Sequence, residues 1–104
     1  MRIGKACQIL KALSDGTRLR ILNMLKEKEL TVSEMCRVLK KGQPNVSKHL
    51  TRMRLAGLVV SRKEGNSRYY LLSEKVPEEY KDLIASVLNS LSGVATLVRD
   101  RQRL

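Results

Sequence analysis

The sequence predicts a mainly helical fold with one small β-hairpin, in the order α-α-α-α-β-β-α. Three observations lead there. Apolar residues recur at three- and four-residue spacing in five segments, the last running from Tyr80 to Val98. That spacing gives way to β-rich runs only at Leu58-Val59-Val60-Ser61-Arg62 and Arg68-Tyr69-Tyr70-Leu71-Leu72. Between the segments stand residues that start or stop helices: Ser14-Asp15-Gly16, Thr31, Pro44, Gly57 and Pro77.

The first helix carries two apolar series, Ile3/Cys7/Leu10 and Ala6/Ile9/Leu13. Ser14 and Asp15 are both good N-caps for a second helix, built on Leu19, Ile21, Leu22, Met24 and Leu25, with Arg18, Arg20 and Asn23 on its polar face. Lys26-Glu27-Lys28-Glu29 reads as a charged connector. Thr31-Val32-Ser33-Glu34 is a capping box, in which each side chain takes the other's orphan backbone donor. The third helix turns Val32, Met35, Cys36 and Leu39 inward, and Lys40-Lys41-Gly42 closes it. A fourth follows at once, with Gly42 or Gln43 as cap, Pro44 in its first turn and Val46, Leu50 and Met53 inward. Gly57 sits where a helix C-terminus needs a left-handed residue. Lys63-Glu64-Gly65-Asn66-Ser67 reads as a hairpin loop. Pro77 opens one last helix, with Glu78 and Glu79 in the turn where the helix dipole favours acids. The expected layout is one domain over 1–104, with a helix-turn-helix at 31–56, a wing at 58–72 and terminal helices at about 3–14 and 77–101.

The composition narrows the function. Among 104 residues there are 21 Lys and Arg, 10 Asp and Glu and a net charge of +11, which makes a polyanion the first partner to consider. Nine of the cations and a single acid, Glu64, lie between Arg37 and Arg68, and no Asp or Glu occurs from Met35 to Lys63. A solvated helix face would normally carry acids as well. Aromatic residues are only 3%, too few for a base-stacking platform. No apolar run approaches 18 residues and no secretory leader is visible, so a cytoplasmic protein with no membrane partner is expected. One histidine and no glycine-rich phosphate loop offer little to an enzyme, so neither catalytic residues nor a small-molecule substrate are expected.

Two short helices followed by a hairpin make a winged helix-turn-helix, whose second helix enters the DNA major groove N-terminal end first. Its candidate contacts are Gln43, Asn45, Ser47, Lys48, His49, Thr51 and Arg52, with Gln and Asn able to pair bidentately with adenine. Arg62, Lys63, Asn66, Ser67 and Arg68 surround the hairpin tip as a second group, and Glu64 there reads as a partner for a neighbouring cation. A nonspecific architectural binder and a winged helix that meets protein instead of DNA are the alternatives.

Several segments resemble the ArsR/SmtB family of bacterial repressors. They are Lys11-Ala12-Leu13-Ser14-Asp15-Gly16-Thr17-Arg18-Leu19-Arg20-Ile21-Leu22, Gln43-Pro44-Asn45-Val46-Ser47-Lys48-His49-Leu50, Arg54-Leu55-Ala56-Gly57-Leu58-Val59 and Arg62-Lys63-Glu64-Gly65, in the family's order and spacing. The resemblance covers roughly residues 5 to 72. It implies a homodimer that represses by occupying an operator, leaves it when an inducer binds, and pairs through its first and last helices. The long apolar stripe from Tyr80 to Val98 points the same way. A last helix folded back over its own domain is the alternative.

No required cofactor is expected. Glu34-Met35-Cys36-Arg37-Val38 resembles the arsenic and cadmium sensors of the family, but Val38 stands where they have a second cysteine. The histidine site of the zinc and nickel sensors is absent, since His49 lies on the DNA-facing helix, where a solvent or phosphate contact is expected of it. Cys7 and Cys36 remain. Three roles stay open for them: plain packing at apolar helix positions, thiol oxidation or sulfide chemistry, and a share in a soft-metal or metalloid site.

Overall fold

Local capping places the helices where the sequence marks them. The computed structural model describes residues 2–104, so Met1, the first residue of the expected domain, lies outside the described residues. Helix α1 spans Ile3–Leu13, and α2 spans Gly16–Glu27 with Asp15 as its cap, the carboxylate accepting from the Arg18 N–H at 3.0 Å. Helix α3, Val32–Leu39, has the full capping box. Thr31 Oγ1 accepts from the Glu34 N–H at 3.2 Å, and Glu34 Oε1 accepts from the Thr31 N–H at 2.9 Å. Helix α4 spans Gln43–Leu55. It ends in a Schellman motif, in which the Leu58 N–H reaches the Met53 carbonyl and the Gly57 N–H the Arg54 carbonyl, with Gly57 at φ +79°. That φ suits glycine alone. Gly57→Ala is therefore expected to lower folding stability by about 1–2 kcal/mol, read as a lower urea midpoint at unchanged slope.

Strands β1, Val59–Glu64, and β2, Ser67–Leu72, pair antiparallel from Val59↔Leu72 to Glu64↔Ser67. The connection is tighter than the five-residue loop the sequence suggests. Only Gly65 and Asn66 lie between the strands, with Gly65 at φ +60°, as a turn matching the strand twist requires. Leu30 adds a bridge to β2, exchanging backbone hydrogen bonds with Tyr70 at 3.2 and 2.8 Å, so the connector after α2 is tied to the wing.

The helix α2 is the centre of the core. Its residues Ile21, Leu22, Met24 and Leu25 are all buried, because α1, α3, α4 and β2 surround it. Ile9 and Leu13 of α1, Met35, Val38 and Leu39 of α3, and Val46, Leu50 and Met53 of α4 complete the apolar interior. Val38 is a fully buried member that the sequence reading omits, whereas Val32 and Cys36 are only half-buried.

The single last helix over 77–101 is not what forms. Helix α5 ends at Ser90 (Glu78–Ser90), and α6 begins only at Ala95 (Ala95–Gln102). The Ser92 hydroxyl donates to the Asn89 carbonyl at 2.8 Å, and Val94 is extended, so the helical ladder stops and the chain turns before α6. Helix α6 then packs against α2, burying Leu97 and Asp100. The polar face of α2 that carries Arg20 and Asn23 is thereby covered by α6. Arg20 grips Asp100 with Nε and Nη2 at 2.8 and 2.9 Å, while fully buried Asn23 donates to the Leu97 carbonyl and accepts from Arg101. The apolar series from Tyr80 to Val98 thus belongs to two helices, and Tyr80, Leu88 and Leu97 are consumed by the chain's own core.

The two series on α1 separate. Ala6, Ile9 and Leu13 are buried, whereas Ile3 is 80% exposed, Leu10 is 47% exposed and Cys7 is exposed between them.

Candidate nucleic-acid interface

Helix α4 presents one face to the core and the other to solvent. Gly42 precedes it in an extended conformation with no side-chain cap, so the N–H groups of Gln43 and Asn45 at its start are left for an external acceptor. Gln43, Asn45, Lys48, Thr51 and Arg52 are exposed and Ser47 is half-buried. The Thr51 hydroxyl donates to the Ser47 carbonyl at 3.0 Å, and no acid occurs on the helix. The turn from α3 passes through Lys40 at φ +55°, with Lys41 donating its N–H to the Cys36 carbonyl. That turn seats α4 against α3 and leaves Lys40 exposed beside the α4 N-terminus. A cationic ridge with adenine-competent amides at one end is the surface a major groove accepts.

His49 departs from the expected face. It is buried, and Arg18 Nη1 lies 3.3 Å from its Nδ1. A guanidinium only donates, so Nδ1 accepts and the ring proton sits on Nε2. Asp15 Oδ1, at 3.9 Å, is too far to compete. The same Arg18 donates to the carbonyls of Ala12 and Lys11, at 2.7 and 3.1 Å, joining the end of α1 to α4. His49 follows Val46 by three residues and precedes Met53 by four, so helical spacing turns it toward the buried side of α4, where Arg18, 31 residues away, meets it. Burial and the cations Arg18, Lys48 and Arg52 hold the imidazole below its ordinary value, against the opposing pull of Asp15. Stability from this neutral ring is therefore complete above about pH 6.5 and declines as pH falls further. Urea titrations should show a loss between pH 7 and 5 that is absent in His49→Gln. Asp15, Glu29 and Glu34, all held below the usual carboxylate range, stay ionised across that window.

At the wing, Lys63, Asn66, Ser67 and Arg68 are exposed around the turn, with Arg68 donating to Ser61 Oγ at 3.0 Å. Arg62 is differently placed. Its guanidinium donates to Glu29 at 2.8 and 3.2 Å and to Glu64 at 2.7 Å, and lies 4.9 Å from the Tyr69 ring centroid. Glu64 is thereby partnered as expected, but Arg62 is neutralised by two carboxylates and braces the wing against the connector before α3. Its hydrogen bonds to Glu29 hold that acid low and raise the guanidinium further.

Cys7 is exposed and Cys36 half-buried, both as free thiols, so packing within this chain accounts for Cys36 but not for Cys7. Among the described residues no three His, Cys, Asp or Glu side chains gather as a metal site, and no helix is long and apolar enough to cross a membrane.

Residues 15–61 match the model of the bacterial regulatory proteins of the arsR family. The chain is 42% identical to the arsenical resistance operon repressor of Escherichia coli, over 67% of this chain and 61% of that one. It therefore spans less than two thirds of that relative's length. HlyU from Vibrio cholerae, named a transcriptional activator, has a similar structure, with a TM-score of 0.73 and 38% identity over 84% of this chain and 91% of that one. A homodimeric winged helix-turn-helix DNA-binding domain from Mycobacterium bovis also superposes, with a TM-score of 0.73 and 28% identity over 86% of this chain and 81% of that one.

Proposed function

Because the chain belongs to the ArsR family of transcriptional regulators, we propose that it represses transcription as a homodimer on an imperfectly palindromic operator. The exposed, acid-free face of α4 is the observation that carries this reading. Gln43, Asn45 and Ser47 read bases, Lys48 and Arg52 meet phosphates with Thr51 between them, and Lys63, Asn66, Ser67 and Arg68 of the wing grip the flanking backbone. Dimerisation is assigned to α1 and α5. The outer stripe Ile3, Cys7 and Leu10 of α1 is left open by the chain's own fold, and α1 is linked to α5 through the Arg2 N–H on the Tyr80 hydroxyl at 3.2 Å. The homodimeric Mycobacterium bovis domain supports the same assembly. A two-fold dimer places half-sites about 34–36 Å apart. Selection of bound duplexes from a random pool should return such a palindrome; a monomer that enriches no sequence overturns the proposal.

Operator release is assigned to the thiols Cys7 and Cys36, because a change at Cys7 falls within the dimer stripe and one at Cys36 lies on the helix that seats α4. Mass spectrometry after oxidant, sulfide and arsenite exposure should find an adduct or a bridge at one of them. An unmodified chain with unchanged operator affinity leaves a constitutive regulator with structural cysteines. The activator name of the Vibrio cholerae relative favours a second reading, in which the same occupancy raises transcription. A reporter carrying the recovered operator separates the two by the sign of its response.

A further inference from the structure

A second group of unanswered cations lies away from the outward face of α4. A cavity of about 330 Å³ opens between α1, the C-terminal end of α4, the start of β1 and the loop before α5. Its floor is apolar, formed by buried Ile9, Leu58 and Val59 with half-buried Val76. Lys5, Arg54 and Lys75 line it, and no acid does. Lys5 Nζ is anchored on the Ala56 carbonyl at 3.3 Å. Among the described residues the side chains of Arg54 and Lys75 have neither a hydrogen bond nor an ion pair, whereas Arg20, Arg62 and Lys81 each have a carboxylate partner. The volume falls in the lower range of small-molecule sites, about 300–1,000 Å³. Cations of one sign around a low-dielectric floor focus positive potential into the concavity.

We propose that this cavity binds a small amphipathic anion. A carboxylate, sulfonate or phosphate head meets Arg54 and Lys75, and a short aliphatic or aryl body covers Ile9, Leu58 and Val76. Both halves are needed. An inorganic anion leaves the apolar floor unused, and a neutral hydrocarbon leaves the cations unanswered. The walls come from the helix assigned to the dimer and from the end of the helix assigned to DNA, so the occupant acts as an effector. That last role rests on the regulatory reading above; binding does not.

Octanoate titrated calorimetrically into the DNA-free protein tests the site, with inorganic phosphate as competitor. Arg54→Glu and Lys75→Glu reverse exposed charges, and Val60→Phe narrows the cavity from a position that is 40% exposed, outside the core. Circular dichroism confirms that each variant is folded. The expected result is one saturable site, weakened about tenfold or more by each variant and not displaced by phosphate. No saturable binding at millimolar octanoate, or binding that none of the three variants changes, overturns the site. Equal competition by phosphate overturns the amphipathic ligand class. Octanoate that binds while operator affinity stays the same overturns the effector role alone. If the ligand-free protein selects no operator, the DNA reading fails while calorimetry still decides the cavity.

Discussion

Arg20→Ala is expected to cost about 3–5 kcal/mol of folding stability, read as a lower urea midpoint or as faster amide exchange across α6. The Asp100 side chain is 1% exposed, and both its oxygens are held by Arg20. Removing the guanidinium takes both hydrogen bonds from a carboxylate that the fold holds largely away from water. Arg20 itself is 20% exposed and turns more readily to solvent, so Asp100→Asn is expected to cost less. Replacing both residues by leucine should restore most of the loss, since a buried ion pair is often matched by apolar packing of similar volume. Unchanged midpoints together with unchanged α6 exchange in Arg20→Ala would show that Leu97 and the hydrogen bonds of Asn23 suffice to hold the helix down. The Arg62 pair with Glu29 is exposed and contributes little to global stability by comparison.

The second large effect is on DNA. Combined Lys48→Ala and Arg52→Ala is expected to flatten the slope of log affinity against log salt by about 3–4, because a dimer loses four phosphate contacts at about 0.9 each. Operator preference should survive that change. Asn45→Ala should do the reverse, costing about 1–3 kcal/mol at one base position in each half-site while leaving the slope intact. Arg62→Gln is a sharp control, since its charge is already answered by Glu29 and Glu64 and the slope should hardly move. Binding isotherms across a salt series decide all three. A slope that is insensitive to Lys48 and Arg52 would place the DNA elsewhere on the molecule.

The features legible in the chain alone are local ones. Asp15, the Thr31–Glu34 box, Pro44 and Gly57 act through backbone groups a few residues away, so their positions in the chain suffice to place α2, α3, α4 and the entry to the wing. The spacing of Val46, Leu50 and Met53 likewise identifies the outward face of α4, because helical geometry fixes which residues share a side. Partners distant in sequence leave no such trace. Arg20 stands on the polar face of α2 with no visible partner until α6 brings Asp100 to it across 80 residues, and nothing near His49 in the chain announces Arg18. Arg62 reads as a phosphate ligand until Glu29 takes it. The last helix divides at Ser92-Gly93, a local stop masked by three- and four-residue spacing that continues through Leu91 and Val94, and the α2 surface then receives Leu97 and Asp100. Periodicity records which residues share a face, whereas tertiary packing alone decides what that face meets.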